Sequence, residues 1–198
     1  MTSGPTREPL DPVRYISNYS TGTMGKCLAL AAKEKGHKVT WVECPKKAET
    51  ALELQRLLQK FLPKHDVLIM AAAVCDVRPV RFSNLKIKKD RLASIPVKKN
   101  PDILAGLSKI KRKGQIFIGF GLESQNIIIN GFKKLNQKKL DLMVLQKVTN
   151  KTNPFGDKPI DAFLLGRDEG IRRFRAIRKL RLARVIVEAA EKLVERVA

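Results

Sequence analysis

The sequence is poor in the residues that define several functional classes. It holds 2 histidines and 3 cysteines (Cys27, Cys44, Cys75), and the cysteines lie far apart with no paired spacing. That excludes a disulfide-stapled scaffold and a zinc knuckle, and it fits a reducing cytoplasm. A histidine-based metal site lacks ligands. Aromatic residues make up 6%, too few for a platform that stacks single-stranded nucleic acid. No uncharged apolar run approaches the roughly 18 residues of a membrane span. Met1-Thr2-Ser3-Gly4-Pro5 has neither a positive start nor an apolar stretch, so no signal peptide is expected. The dinucleotide fingerprint G-x-G-x-x-G and the phosphate loop G-x-x-x-x-G-K-[ST] are both missing, which argues against a NAD enzyme and a P-loop ATPase.

Acidic residues are also scarce. Asp+Glu total 19 against 40 Lys+Arg, a formal net charge of +21. Such a surplus favours polyanionic partners: nucleic acid, an anionic membrane surface or small phosphorylated ligands. The bland reading is a solvated basic surface, and runs such as 109–113 (KIKRK) and 133–139 fit it. Hydrophobic residues are 43% of the 198, enough for a real core and one domain over 1–198.

The apolar pattern predicts alternating elements. Residues 4–19 carry prolines and glycines without apolar periodicity and read as a long loop. Residues 22–36 repeat Met24, Leu28, Ala31 and Ala32 at helical spacing, with Gly36 as the C-terminal stop. Residues 38–42 (KVTWV) alternate as a strand. Helices are expected over 48–62, 101–111 and 126–139, and strands over 66–73, 116–121 and 142–145. The run DVLIMAAA at 66–73 is continuously apolar, as in a strand buried on both faces. Segments 162–165 and 171–177 flank Asp168-Glu169-Gly170 as a hairpin, and 179–197 is a closing helix. The fold class is therefore α/β: a Rossmann-like, doubly wound, mostly parallel sheet with helices on both faces, then a C-terminal β-hairpin and helix. Residues 78–97 are polar, basic and poorly periodic, an extended arm or flap.

In such sheets ligands bind beyond the carboxyl ends of the strands. The 4–19 loop, 75–79 and 120–123 all fall there. Ser20-Thr21-Gly22 leads into a helix N-terminus, which can hold a phosphate through backbone N–H groups and the helix dipole. An ordinary N-cap by Ser20 or Thr21 is the plainer account of those residues alone.

More specific motifs follow in order. Residues 3–18 read SGPTREPLDPVRYISN, followed by Ser20-Thr21-Gly22-Thr23-Met24-Gly25. Further on come Ala71-Ala72-Ala73-Val74-Cys75-Asp76-Val77-Arg78-Pro79, Lys86-Ile87-Lys88-Lys89, Asn100-Pro101-Asp102-Ile103-Leu104 and Gly119-Phe120-Gly121-Leu122-Glu123-Ser124. Lys134, Lys138 and Asp141 complete a K-x-x-x-K-x-x-D pattern. Together these resemble phosphopantothenate–cysteine ligases, the ligase half of bacterial bifunctional coenzyme A biosynthesis proteins. The resemblance spans most of residues 2–145, and the tail matches in pattern more than in residues.

The resemblance implies that CTP, with Mg²⁺, activates the carboxylate of 4′-phosphopantothenate as an acyl-cytidylate, releasing pyrophosphate. The cysteine amine then attacks, giving 4′-phosphopantothenoylcysteine and CMP. Asn18 matches the asparagine that stabilises the acyl-cytidylate, although a lone Asn is more often a turn former. Arg14 matches a functional arginine, able to clamp a phosphate or carboxylate; the alternative is a surface or dimer-contact arginine. Lys86 matches the catalytic lysine of a flap, with Lys88 and Lys89 as decoys. Arg14, Asn18 and Gly22 are the expected phosphopantothenate contacts. Met70, Ala71, Ala72, Asp76, Pro101, Asp102, Ile103, Leu104, Phe120, Lys134 and Lys138, with Lys86, are the expected CTP contacts. Without the resemblance, Phe120 reads as core and Lys133, Lys134, Lys138 and Lys139 as a solvated face. Asp76 is the candidate metal ligand.

The family is dimeric through the arm around 80–98, where 92–97 (LASIPV) would supply a pairing strand, and a flavin-dependent phosphopantothenoylcysteine decarboxylase is the expected partner. The protein is expected to be cytoplasmic, with no membrane partner. Four departures from the family pattern stand out. The first strand is cut short at Met1. Residues 45–48 are compact where a further strand is expected. Gln146 replaces an Asn, and Phe155-Gly156-Asp157-Lys158-Pro159-Ile160 loses the register of F-G-S-D-x-N. Two alternatives follow: a catalytically impaired CTP-binding relative, and a basic nucleic-acid-binding protein whose 170–184 segment holds 7 basic residues and no acidic one.

Overall fold

A computed structural model describes residues 1–149, 154–167 and 170–197. The chain opens with β1 (Thr2–Ser3), β2 (Arg7–Pro9), β3 (Tyr15–Ser17) and α1 (Thr23–Glu34). Next come β4 (Val42–Glu43), α2 (Ala51–Phe61), β5 (Val67–Met70), β6 (Val77–Pro79), β7 (Val97–Lys99) and α3 (Ile103–Ser108). The second half holds β8 (Ile116–Glu123), α4 (Ile127–Gln137), β9 (Leu142–Lys147), β10 (Ile160–Gly166), β11 (Gly170–Ile177) and α5 (Lys179–Val197).

The main sheet has 7 strands in the order β11-β10-β9-β8-β5-β1-β4. Strands β4, β1, β5, β8 and β9 are parallel, and the β10–β11 hairpin adds to the β9 edge antiparallel. This is the expected doubly wound sheet. Its central strands alternate between two cores, as a period of two demands. Ile69, Ile116, Ile118, Leu142 and Val144 face α1 and α5. Leu68, Met70, Phe117, Met143 and Leu145 face α2, α3 and α4. Burial on both faces is why these strands read as unbroken apolar runs.

Three expectations are corrected. The loop over 4–19 contains an antiparallel ribbon, β2 against β3, with Arg7 paired to Ser17 and Pro9 to Tyr15. The strand expected at 38–42 forms only at Val42–Glu43, because β1 offers pairing partners only at Thr2 and Ser3. In the arm, the strand is Val97–Lys99 rather than 92–97, and it pairs within the chain, with β6. No strand lies between β4 and α2, so the sheet ends at β4, as the compact 45–48 segment suggested. Asp168 and Glu169, at the tip of the expected hairpin, lie outside the described residues.

Local chemistry fixes where α2 begins. Thr50 caps it by accepting from Glu53 N at 3.2 Å, and buried Glu8 accepts from Ala51 N at 2.9 Å. Beside it, burial pushes the Cys44 thiol up to about 12, with Glu43 and Glu53 adding to the shift. Since the thiolate is the nucleophile, iodoacetamide at mildly alkaline pH is expected to leave Cys44 unmodified in the folded protein and to label it in urea. Half-buried Cys27 should react first. Mass spectrometry of timed reactions checks this; labelling of Cys44 as fast as Cys27 would refute its burial.

Candidate functional site

A cleft of about 690 Å³ opens over the carboxyl ends of β1, β5 and β8. One wall is the turn into α1. Gly22 sits at the helix N-cap with φ 74°, and no side chain caps the helix. Ser20 instead accepts from Gly22 N at 3.3 Å, and the Thr21 and Thr23 hydroxyls bond each other at 2.9 Å. The ordinary N-cap is therefore not what Ser20 and Thr21 form, and among the described residues no side chain caps the first turn of α1. A helix start of this kind suits an anion. The turn packs tightly: a Cβ on Gly22 would lie 3.3 Å from the Gly4 backbone.

The floor is the end of β5 and the chain beyond it. Met70, Ala71, Ala72 and Asp76 line it. Thr2 Oγ1 accepts from Ala72 N at 3.0 Å, and Gly4 O accepts from Ala73 N at 2.9 Å. The opposite wall is Pro101, Asp102, Ile103, Leu104 and Phe120, with Lys134 and Lys138 above it. Asp102 caps α3 through Ala105 N at 3.1 Å and binds Lys138 at 2.9 Å. Glu123 holds Lys134 at 2.5 Å. Both lysines are thus drawn to one side of the cleft at i, i+4 spacing. Asn18 lies at the rim, exposed, its Nδ2 donating to Val74 O at 3.1 Å.

The cleft therefore brings together Asn18, Gly22, Met70, Ala71, Ala72, Asp76, Pro101 to Leu104, Phe120, Lys134 and Lys138. Arg14 and Lys86 lie outside its lining. Arg14 forms a two-pronged contact with buried Asp11, at 3.0 and 2.5 Å, and donates to Ile87 O at 2.6 Å. Asp11 also accepts from Ile87 N at 3.1 Å. The pair thus grips both backbone groups of the residue after Lys86 and fixes the root of the arm. Desolvation would raise the Asp11 carboxyl, but the Arg14 guanidinium and three backbone N–H groups hold it well below the usual carboxylate range. Lys86 itself is exposed.

One cleft residue is invisible to sequence reasoning. Lys179, the first residue of α5, is 4% exposed and lines the cleft. It lies in the basic 170–184 run, where every cation looks solvated. Gln146, the substitution noted at the end of β9, also faces the cleft. Among the described residues no three His, Cys, Asp or Glu side chains cluster as a metal site. A magnesium ion needs fewer protein ligands when substrate phosphates and water supply the rest. Because Asp102 is committed to Ala105 and Lys138, Asp76 is the cleft carboxylate that fits this role. Among the described residues no helix is long and apolar enough to cross a membrane.

Comparison with known proteins agrees with this arrangement. Residues 1–193 match the family model described as the DNA/pantothenate metabolism flavoprotein C-terminal domain. The chain is 35% identical over 202 residues to the coenzyme A biosynthesis bifunctional protein CoaBC of Borreliella burgdorferi, covering 95% of this chain and 50% of that protein. It is 39% identical over 171 residues to CoaBC of Escherichia coli K12, covering 78% of this chain and 42% of that protein. The chain thus spans about half the length of the curated relatives it matches. The crystal structure of the C-terminal domain of a CoaBC superposes with a TM-score of 0.78 at 28% identity, over 98% of this chain and 94% of that one. The chain belongs to the family of the DNA/pantothenate metabolism flavoprotein C-terminal domain, and its counterpart is the C-terminal domain of the bifunctional coenzyme A biosynthesis protein CoaBC.

Proposed function

We propose that this protein joins 4′-phosphopantothenate to L-cysteine at the expense of CTP, in coenzyme A biosynthesis. The observation that carries the reading is the cleft itself. It combines an uncapped helix start at Gly22, the small-residue floor of Ala71 and Ala72, and Lys134 and Lys138 on the facing side. The first suits phosphate, the second a base lying close to the backbone, and the third the charge of a triphosphate.

In this reading the pantothenate carboxylate oxygen attacks the α-phosphorus of CTP, a phosphorus–oxygen bond breaks, and pyrophosphate leaves. The cysteine nitrogen then attacks the acyl carbon, loses a proton, and CMP departs. Asn18 donates to the developing oxyanion without adding charge. Lys86, on the arm whose root Arg14 holds, follows charge at the α-phosphate. Asp76 would hold Mg²⁺, which neutralises phosphate charge. The chain works as a dimer, its arm covered in the assembly. The exposure of Val80, Phe82, Leu85, Ile95 and Val97 supports this. A flavin-dependent decarboxylase is the partner that consumes the product, and the bifunctional relatives support a second, linked activity. The +21 charge steers both polyanionic substrates inward.

Pyrophosphate release with purified protein, Mg²⁺, phosphopantothenate and cysteine tests the reading. Release should require phosphopantothenate and be faster with CTP than ATP. Lys86→Gln should lower kcat by about 10²-fold, as loss of one charge-stabilising donor does. CTP binding without pyrophosphate release would instead favour an impaired nucleotide-binding relative.

A further inference from the structure

Lys179 is misplaced by every local rule. It puts a cation at the first position of α5, where the helix dipole disfavours positive charge. It buries an ammonium at 4% exposure, where an apolar side chain of equal length would be cheaper, and burial accordingly lowers its pKa. Residues that break local rules in this way concentrate at functional sites. Its contacts show what the ammonium does. Nζ donates to Pro154 O at 2.6 Å and to Gly156 O. Gly156 N in turn donates to Thr21 Oγ1 at 3.2 Å, and Thr21 bonds Thr23 at 2.9 Å. The Phe155 ring lies 6.3 Å from the Tyr19 ring, tilted by 39°. Tyr19, Thr21, Thr23, Pro154, Phe155 and Lys179 all line the cleft.

We propose that Lys179 is a positioning residue: it holds the 154–156 segment against the turn that precedes α1 and so builds the end wall of the cleft beside the phosphate-binding amides. The effect on catalysis rests on the CTP reading above, but the suture itself does not. An ammonium is required because it gives three donors from one point, and the described carbonyls use two of them. A methionine of the same length can fill the space but cannot hold two carbonyls. The wall then depends on a chain of three partners: the Lys179 ammonium, the backbone C=O and N–H of Gly156, and the Thr21 hydroxyl. Removing either end should release the same segment.

Lys179→Met removes the donor and keeps the length; Thr21→Val removes the acceptor on the exposed side and leaves α5 untouched. Two readouts are needed. Amide hydrogen exchange at Gly156 in the ligand-free protein reports the suture, and CTP titration followed by pyrophosphate kinetics reports its use. Each single variant is expected to speed Gly156 exchange about tenfold, the worth of one hydrogen bond to a charged or well-placed partner. Each should raise the KM for CTP about tenfold with kcat within twofold of wild type. The double variant should be no worse than Lys179→Met alone, because both break one chain. Lys179→Arg should restore part of the protection. Unchanged Gly156 exchange in Thr21→Val, or effects that multiply in the double variant, overturn the proposal. So does a Lys179→Met protein that loses CTP affinity while Gly156 stays protected, since Lys179 would then contact the ligand directly. If Lys179→Met fails to fold, Thr21→Val still decides. If wild type does not bind CTP yet exchange responds as described, the ligase reading falls and the positioning role stands.

Discussion

Gly25→Ala is expected to destabilise the protein by about 2 kcal/mol or more and to abolish the nucleotide binding proposed above, while the same change at Gly106 is expected to stabilise it. Both glycines lie in helices, α1 and α3. Helix propensity alone favours alanine by about 1 kcal/mol at either site. What a new Cβ meets decides the sign. At Gly25 it would lie 2.3 Å from Ser3 Cβ, 2.7 Å from Thr2 O and 2.9 Å from Ser3 Cα. Two of those atoms belong to the backbone of β1, which is paired to β4 on one side and β5 on the other and cannot yield. The helix must lift instead, and it carries Leu28, Ala31 and Ala32 out of contact with the sheet. Its N-terminus, the turn that the proposed function gives to phosphate, moves with it. At Gly106 the nearest atom is Gln55 Nε2 at 3.5 Å, an ordinary contact with a flexible side chain. Thermal unfolding should show Gly25→Ala melting at least about 5 °C below wild type and Gly106→Ala at or above it. Equal melting temperatures for the two variants would show that β1 and α1 are not packed this closely.

That contact also shows what a sequence can and cannot reveal. The glycine of Met24-Gly25 is visible in the motif, but the reason for it lies far back in the chain at Ser3 and is visible only in three dimensions. Strands β5, β8 and β9 are legible because burial on both faces leaves a continuous apolar run. Strands β1 and β4 are not, since two residues each carry no periodicity. Over 38–41 the alternation is real, yet β1 offers those residues no ladder partners. The 4–19 segment reads as a loop because Pro9 and Pro12 punctuate it, and the β2–β3 ribbon within it is too short to register.

For the cleft, a residue's placement was legible where a motif held it and illegible where a charge run hid it. Lys134 and Lys138 stand apart from Lys133 and Lys139 through their i, i+4 spacing and the resemblance, and the cleft contains the first pair. Lys179 has no such mark. It is one cation among 7 in the 170–184 run, and only its burial separates it from neighbours such as Arg175, which is exposed. Arg14 and Lys86 stand outside the cleft of the chain that carries them, joined through Ile87. The resemblance singles out such residues but does not say which cleft an arm serves.

Asn18→Asp is expected to lower kcat for the proposed CTP-dependent product formation by at least 10²-fold, the worth of one preorganised donor to an oxyanion. The side chain is exposed at the cleft rim, and its one described bond is from Nδ2 to Val74 O at 3.1 Å. An amide NH₂ has two donors, so one remains for a ligand. A carboxylate in its place has none, faces the Val74 carbonyl without attraction, and sets a negative charge where the proposed reaction develops another. Stability should change by no more than about 0.5 kcal/mol, as for most exposed substitutions, and KM for CTP should move far less than kcat. The substitution is informative because aspartate is as good a turn former as asparagine. If Asn18 serves only to turn the chain between β3 and α1, Asn18→Asp will be nearly silent in both melting temperature and rate. A large loss of kcat at unchanged melting temperature separates the donor from the turn, because no backbone role distinguishes the two side chains so sharply.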